Sequence, residues 1–558
     1  MFRSRPFSVA LVALAVVAVA CGGAAVPTAT GAPAAAATAT VARAATVVPT
    51  PTRATAAAVP TTVPVAMAKP SGKVVFSEAA FGQGVGKDFD PGAWQGGFRG
   101  FYRIIYEPLA YTDESGNLES PILATSWKMA PDGLAWTFQL RKGVKFQNGE
   151  DFNAEVMVKS IKRAKGLNAP FYHQNVEGYE TPDSHTMVIK LKGPDLGLIA
   201  RLVYSSRIGY PAPAGYIDAV GEAGIRNHPI GTGPYKFVEA DFTVGSMVLE
   251  AWDGWGGYWG SKPTVQRFVY LTVPEQTTRQ AMLATGEADI VALAAGPQLK
   301  ELRGGRVEVQ TSVAVNWLEF FNQADPNSPY GNLKVRQAMN YAVNKDEMID
   351  KLFGGAALVS ASSISPMQFG YDPKLQPYPY DPARAKQLLR EAGYPDGFDG
   401  GVIFASSAVQ QTHAEAVVSY LAAVGIRTKV TRIDEASLTT RWRPPVHNLN
   451  LEKGMGFRGS SLAGDGAYRI ESFFTKYGEW GYTVDPEIDA LYEKTVKVLD
   501  RKEYERLLGQ LAKMTNERAY KLFLWHSKGV HGLGPRIAEW KLTPGEAIFD
   551  NLQSIRLK

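Results

Sequence analysis

Residues 121–164 read PILATSWKMAPDGLAWTFQLRKGVKFQNGEDFNAEVMVKSIKRA, and the fold is decided in this stretch. Asp132-Gly133 is a turn signal, after which Trp136, Phe138 and Leu140 alternate with smaller or polar residues. A period of two marks a half-buried strand. Val144 and Phe146 continue the alternation up to a second turn at Asn148-Gly149, so the spacing predicts a hairpin of 136–140 with 144–146. Asn153 is placed to cap a helix, with Phe152 and Met157 spaced as a hydrophobic staple. Val156, Met157, Ser160, Ile161 and Ala164 give that helix one packing face. Nothing here is chemical. The block is scaffold.

Outward from it, 558 residues allow two or three domains, and 45% hydrophobic with 11% aromatic content suits a packed globular protein. The formal charge of +5 comes from the N-terminus, where residues 1–72 hold Arg3, Arg5, Arg43, Arg53 and Lys69 and no acid. The 59 basic residues less those five balance the 54 acidic ones, so the folded part lacks the positive excess of a nucleic-acid binder. Arg3 and Arg5 precede an apolar run from Phe7 to Ala20, which reads as a secretory signal over 1–20. That run is shorter than the roughly 20 residues of a membrane span. Cys21, the sole cysteine, follows Ala18-Val19-Ala20 and precedes Gly22-Gly23, so it is expected to carry a lipid. Ala, Thr, Pro and Val dominate the stretch from 22 onward, which cannot bury enough surface to offset its ordering entropy. Residues 21–72 are therefore expected to form a lipidated, disordered tether.

The stretch 121–164 resembles the signature of the large extracytoplasmic solute-binding proteins of peptide/nickel-type ABC importers. Leu123-Ala124, Ser126-Trp127, Asp132-Gly133, Phe138, Leu140-Arg141, Gly143-Val144-Lys145-Phe146 and Gly149 match it, while Glu155-Val156 lacks the Asp that usually follows the Glu. Further along, Pro229-Ile230-Gly231-Thr232-Gly233-Pro234-Tyr235 and Tyr258-Trp259-Gly260 are similar to two other family elements, as is Val335-Arg336-Gln337-Ala338. The resemblance covers 73–558. It implies an α/β, two-lobed clamshell of the periplasmic-binding-protein kind (type II, large three-subdomain form) with mixed sheets and a hinge. Lobe 1 is then expected over 73–312, with a subdomain at about 110–228, completed by 535–558. Lobe 2 is expected over 313–534, with Val313–Asn322 and Lys521–Trp525 as crossing strands.

An enzyme would need a reacting group. Gly459-Ser460-Ser461-Leu462-Ala463 fails as a nucleophile elbow at its last position, and there is no H-E-x-x-H. His526 and His531 are five apart, poor spacing for a metal on a helix, and are expected to be structural. No cofactor, metal or nucleic acid is expected. A binding protein needs instead a cleft with apolar walls and a few polar anchors. Peptide-binding relatives hold the peptide's amino group with an acid in a stretch that corresponds here to Met455–Asp465. The acidic position falls on Ser460, with Asp465 as the nearby substitute, and Arg458 favours a carboxylate. Trp317, Asn322, Trp442, Phe457, Arg458, Ser460 and Asp465 are therefore expected to line the cleft.

The reading is a monomeric, lipid-anchored receptor outside the cell membrane. It captures a small solute or oligopeptide by hinge closure and passes it to an ABC permease. Two alternatives are a secreted glycoside hydrolase working with paired carboxylates and a solute sensor that needs no permease.

Overall fold

In the computed structural model, the residues described are 69–558 except 80–88, 92–102, 112–118, 169–174, 200–201, 203–208, 435–436, 438–453, 461–464, 479, 482, 484 and 546–550. The secretory signal, Cys21 and nearly all of the tether lie outside them.

Strand Ser71–Glu78 runs parallel to Val265–Thr272 on one side and to Ile290–Leu293 on the other. Ser246–Ala251 and Tyr235–Asp241 extend this half-sheet antiparallel. A second half-sheet is centred on Phe398–Ala405, parallel to both Ile426–Arg432 and Gly454–Ser460. Two long strands, Arg306–Phe320 and Lys521–Leu533, join the halves. They pair antiparallel from Arg306–Leu533 to Glu319–Lys521, with a register break between Thr311 and Val315. Among the described residues the result is one eleven-stranded sheet.

Each half has its own core. Val74, Phe76, Tyr235 and Tyr270 pack with Trp540, Leu552 and Ile555 of the C-terminal segment. Phe320, Val335, Leu389, Ile403, Leu421 and Phe457 form the other. A third core lies under the four-stranded sheet of Ala124–Met129, Ala135–Leu140, Val176–Asp183 and Thr186–Leu191. It continues through Trp317, Phe473, Tyr504 and Phe523, so this sheet packs against the helical side of the second half.

The local signals of 121–164 fold mainly as their chemistry dictates. Asn153 accepts the Val156 amide at 3.0 Å and caps the helix Ala154–Asn168, with Met157 and Ile161 buried. Gly133 takes φ 76° in the first turn and Gly149 φ 91° in the second, values that favour glycine. The hairpin is different from the one predicted. Ala135–Leu140 pairs with Ala124–Met129 before it and Thr186–Leu191 after it, and Val144–Phe146 is not a strand. Both sides of Ala135–Leu140 are thus occupied, and the Arg141 amide and its Nε continue the contact with the preceding strand by bonding Leu123 O and Ile122 O at 2.7 and 2.8 Å. Val144 and Phe146 stay buried all the same.

Gln147 then joins the two most distinctive sequence elements. Its amide group donates to Gly233 O at 3.1 Å and Tyr235 O at 2.8 Å, and accepts from the Gly231 amide at 3.2 Å. Gly231 and Gly233 lie so near the Ile105 and Ile104 carbonyls that a Cβ on either would collide with backbone. Trp255, Tyr258 and Trp259 surround Glu107: Trp255 Nε1 donates to its carboxylate at 2.9 Å, and the Tyr258 hydroxyl and Trp259 Nε1 also donate to it. These aromatics are packing groups, as their place in a structural element suggests.

Gly231→Ala is expected to cost about 1–3 kcal/mol of stability through backbone overpacking, read as a lower urea midpoint. An unchanged midpoint would show that the close approach to Ile105 is not a constraint.

Candidate ligand-binding site

The antiparallel register places Trp317 opposite Arg458 and Val315 opposite Ser460. Residues paired across strands share a face, and alternate residues along one strand share it too. Val315, Trp317, Glu319, Arg458 and Ser460 therefore lie on one side of the second half-sheet, joined by Lys521, opposite Glu319, and Phe523, opposite Trp317. The helix Gly466–Phe474 packs on this side, with Phe473 5.0 Å or less from Trp317 by ring centroid (4.9 Å). The Arg458 guanidinium stands over the Trp480 ring at 4.7 Å.

Asp465 is buried and accepts the Tyr468 amide at 3.0 Å, capping the helix Gly466–Phe474. It also accepts the Tyr504 hydroxyl. Its carboxylate is thus an architectural group at the rim of 461–464, which lie outside the described residues. Arg469, one helical turn further on, is fully buried and donates to Ser460 O at 3.1 Å and Val313 O at 2.6 Å.

A buried ion pair underlies this face. Lys521 Nζ and Glu319 bond to each other at 0% exposure of both side chains, and Trp317 Nε1 donates to Glu319 at 3.0 Å. Burial pushes the Lys521 ammonium below its usual range, Glu319 opposes the shift, and Arg458 adds to it. Toward the four-stranded sheet, Arg501 approaches Glu119 at 3.6 Å and stacks over Phe369 at 3.6 Å. Burial raises the Glu119 carboxyl, with Arg501 working against that and Asp465 adding to it.

The expected lining residues separate. Arg458 and Ser460 share one face of their strand, and Asp465 caps the helix that packs on that side. Trp317 shares their face but is 0% exposed, so it backs the wall. Strand alternation turns Phe457 to the opposite face, into the core with Phe320 and Leu421, so it cannot share a wall with Arg458. Asn322 sits in a left-handed turn (φ 58°) two residues past the end of the crossing strand Arg306–Phe320, off the alternating face of that strand. It does not join the cluster. Trp442 lies outside the described residues.

Composition could have flagged Glu319 and Lys521, since each interrupts an apolar strand, WLEFF and KLFLW. Arg469, Glu119 and Arg501 carry no such mark, because their partners are set by tertiary pairing. His526 and His531 are buried, and neither Nδ1 has a hydrogen-bond partner among the described residues. Burial depresses the His526 ring to about 3, helped by Arg469, and the His531 ring to about 4. The described residues contain no group of three or more His, Cys, Asp or Glu suited to a metal.

The family model for bacterial extracellular solute-binding proteins, family 5 Middle, matches residues 120–479. Heme-binding protein A of Haemophilus influenzae is 28% identical over 79% of this chain and 85% of its own length. The glutathione-binding protein of Salmonella choleraesuis is 32% identical over 60% of this chain, an alignment spanning 64% of that relative. Among solved structures, the periplasmic binding protein DppA from Helicobacter pylori in complex with the peptide STSA has a TM-score of 0.70 at 25% identity, over 87% of this chain and 98% of that one. NikA from Brucella suis with Fe(III)-EDTA has a TM-score of 0.75 at 23% identity, over 88% and 100%, a likeness of fold.

His526 gives a pH test with a definite sign. Its folded value lies below the 6.5 of the free ring, so its stabilising contribution is complete above pH 6.5 and is lost as pH falls toward about 3. His526→Gln is expected to flatten the fall of the urea midpoint between pH 6.5 and 4.5, by up to about 1.4 kcal/mol per pH unit. Parallel curves for the two proteins would contradict this.

Proposed function

Because the chain belongs to the family-5 bacterial extracellular solute-binding proteins of ABC importers, we propose that it is a lipid-anchored receptor for a peptide-like solute with a free carboxylate. It is a solute-binding protein and not an enzyme, which disposes of the hydrolase alternative. The observation that carries the solute class is the wall of Arg458 and Ser460, where Ser460 stands at the position of the amine-binding acid and Asp465 is engaged by Tyr504 and the Tyr468 amide. A guanidinium stacked on Trp480 suits a planar carboxylate. Relatives are named for peptides, glutathione and heme, and among these an acidic short peptide fits such a wall best.

On this reading lobe 1 comprises 73–312 with 535–558, lobe 2 comprises 313–534, and the solute is held between them, with Trp442 a further contact. The two lobes close about the crossing strands, and the closed form meets a permease in the membrane. Lipid on Cys21 keeps the receptor near that permease, with 22–72 as tether. Among the described residues no helix is long and apolar enough to cross a membrane.

Native mass spectrometry of the purified chain, followed by fluorescence titration with the mass it retains, tests the solute class. A peptide-like acid is expected, with Arg458→Ala and Trp442→Ala each weakening it about tenfold (~1.4 kcal/mol). A neutral or cationic solute, or unchanged affinity in both variants, would overturn the assignment. For the anchor, Cys21→Ser is expected to move the protein from the membrane fraction to the soluble extracytoplasmic fraction. Retention of the variant in membranes would rule the lipid out.

A further inference from the structure

The register break in the crossing strands is bound from both sides. Val313 sits inside it, and its amide donates to Gly545 O at 2.9 Å. Gly545 belongs to the C-terminal segment whose Trp540, Leu552 and Ile555 pack in the core of the first half-sheet. Its own amide donates to Thr311 O at 2.9 Å, so this segment grips the break at two points. The Val313 carbonyl faces the other way and accepts Arg469 Nη2 at 2.6 Å, from the helix Gly466–Phe474 of the second half. One residue is thus held by one half through its N–H and by the other through its carbonyl, across two successive peptide units.

Arg469 does a second thing with the same guanidinium. Its Nη1 donates to Ser460 O at 3.1 Å, at the last residue of the strand that carries Arg458. We propose that Arg469 is a positioning residue that couples the hinge to the solute wall. A planar fork with fixed nitrogens cannot rotate toward Val313 without carrying Ser460 and the chain after it. Turning of one half about Val313 therefore resets the carboxyl end of Gly454–Ser460, and solute pressed on that end biases the turn. A lysine's compact ammonium lacks the fixed fork that holds the two carbonyls at a set separation, while an apolar residue gives up both of these hydrogen bonds. The coupling rests on the solute-receptor reading only for its binding arm. The clamp itself is a property of the empty protein.

The test compares the full-length protein with Arg469→Met and Arg469→Lys. Amide hydrogen exchange of the solute-free chain is expected to accelerate at least tenfold at residues 313–316 in Arg469→Met, less in Arg469→Lys, with residues 71–78 unchanged. Affinity for reduced glutathione, the probe used, is expected to drop at least fivefold in Arg469→Met. Arg469→Lys decides the matter if the Met variant does not fold. Exchange like that of the unaltered protein would overturn the proposal, and so would faster exchange with glutathione affinity within twofold, because the clamp would then be structural only. If the unaltered chain binds neither glutathione nor other short peptides, the receptor reading fails while the exchange result still decides the clamp.

Discussion

Two strands have to belong to both halves of this molecule at once. Arg306–Phe320 and Lys521–Leu533 pair with each other for most of their length; the first borders the second half-sheet along Val315–Phe320, and the second borders the first half-sheet along Val530–Leu533. An unbroken ladder would fuse the halves into one rigid sheet, since every buried backbone group must find a partner. The ladder breaks register between Thr311 and Val315 and again between Asn316 and Trp317, and at the first break Gly545 and Arg469 bond the Thr311 carbonyl and the Val313 N–H and carbonyl. The rest of the architecture, including the return of the C-terminal segment to the first core, keeps that break in place.

The chemistry of the candidate wall is organised by the same strands. Glu319 and Lys521 bring a fully buried ion pair to the face shared by Arg458 and Ser460. Such a pair is a weak source of net stability, because desolvation offsets most of the attraction, yet losing either member leaves an uncompensated charge. Its value here is geometric. It fixes Trp317, which donates to Glu319, and Trp317 sets the floor on which Phe473 and the capped helix Gly466–Phe474 rest. Asp465 caps that helix and is tied to Tyr504, so the acid nearest the wall is spent on architecture and the exposed character of the wall is set by Arg458.

Much of this was legible in the sequence, and the limits are physical. The turns at Gly133 and Gly149, the Asn153 cap and the strand at 136–140 follow from local chemistry, and the structure has them. The 136–146 hairpin failed because Ala135–Leu140 is paired on one side by Ala124–Met129 and on the other by Thr186–Leu191, a distant partner that no local alternation encodes. The site was legible only in part. Arg458 and Ser460 could be found by their place in a stretch resembling a known element, but the choice between Arg458 and Phe457 depends on which face of the strand meets the helix. Asn322 falls just past the end of that strand, where alternation no longer fixes the direction of a side chain.

The central claim is that the two halves turn about the crossing strands when solute binds. It is tested most directly by the distance between spin labels at Lys128→Cys, on the four-stranded sheet, and Lys429→Cys, on the second half-sheet, both exposed. Cys21 is the chain's one cysteine, so a Cys21→Ser background leaves the labels unambiguous. Pulsed dipolar spectroscopy is expected to give a broad or two-peaked distance distribution in the empty protein that collapses to a single population when a saturating pool of di- and tripeptides, reduced glutathione included, is added. An identical distribution before and after demonstrated binding would contradict the account.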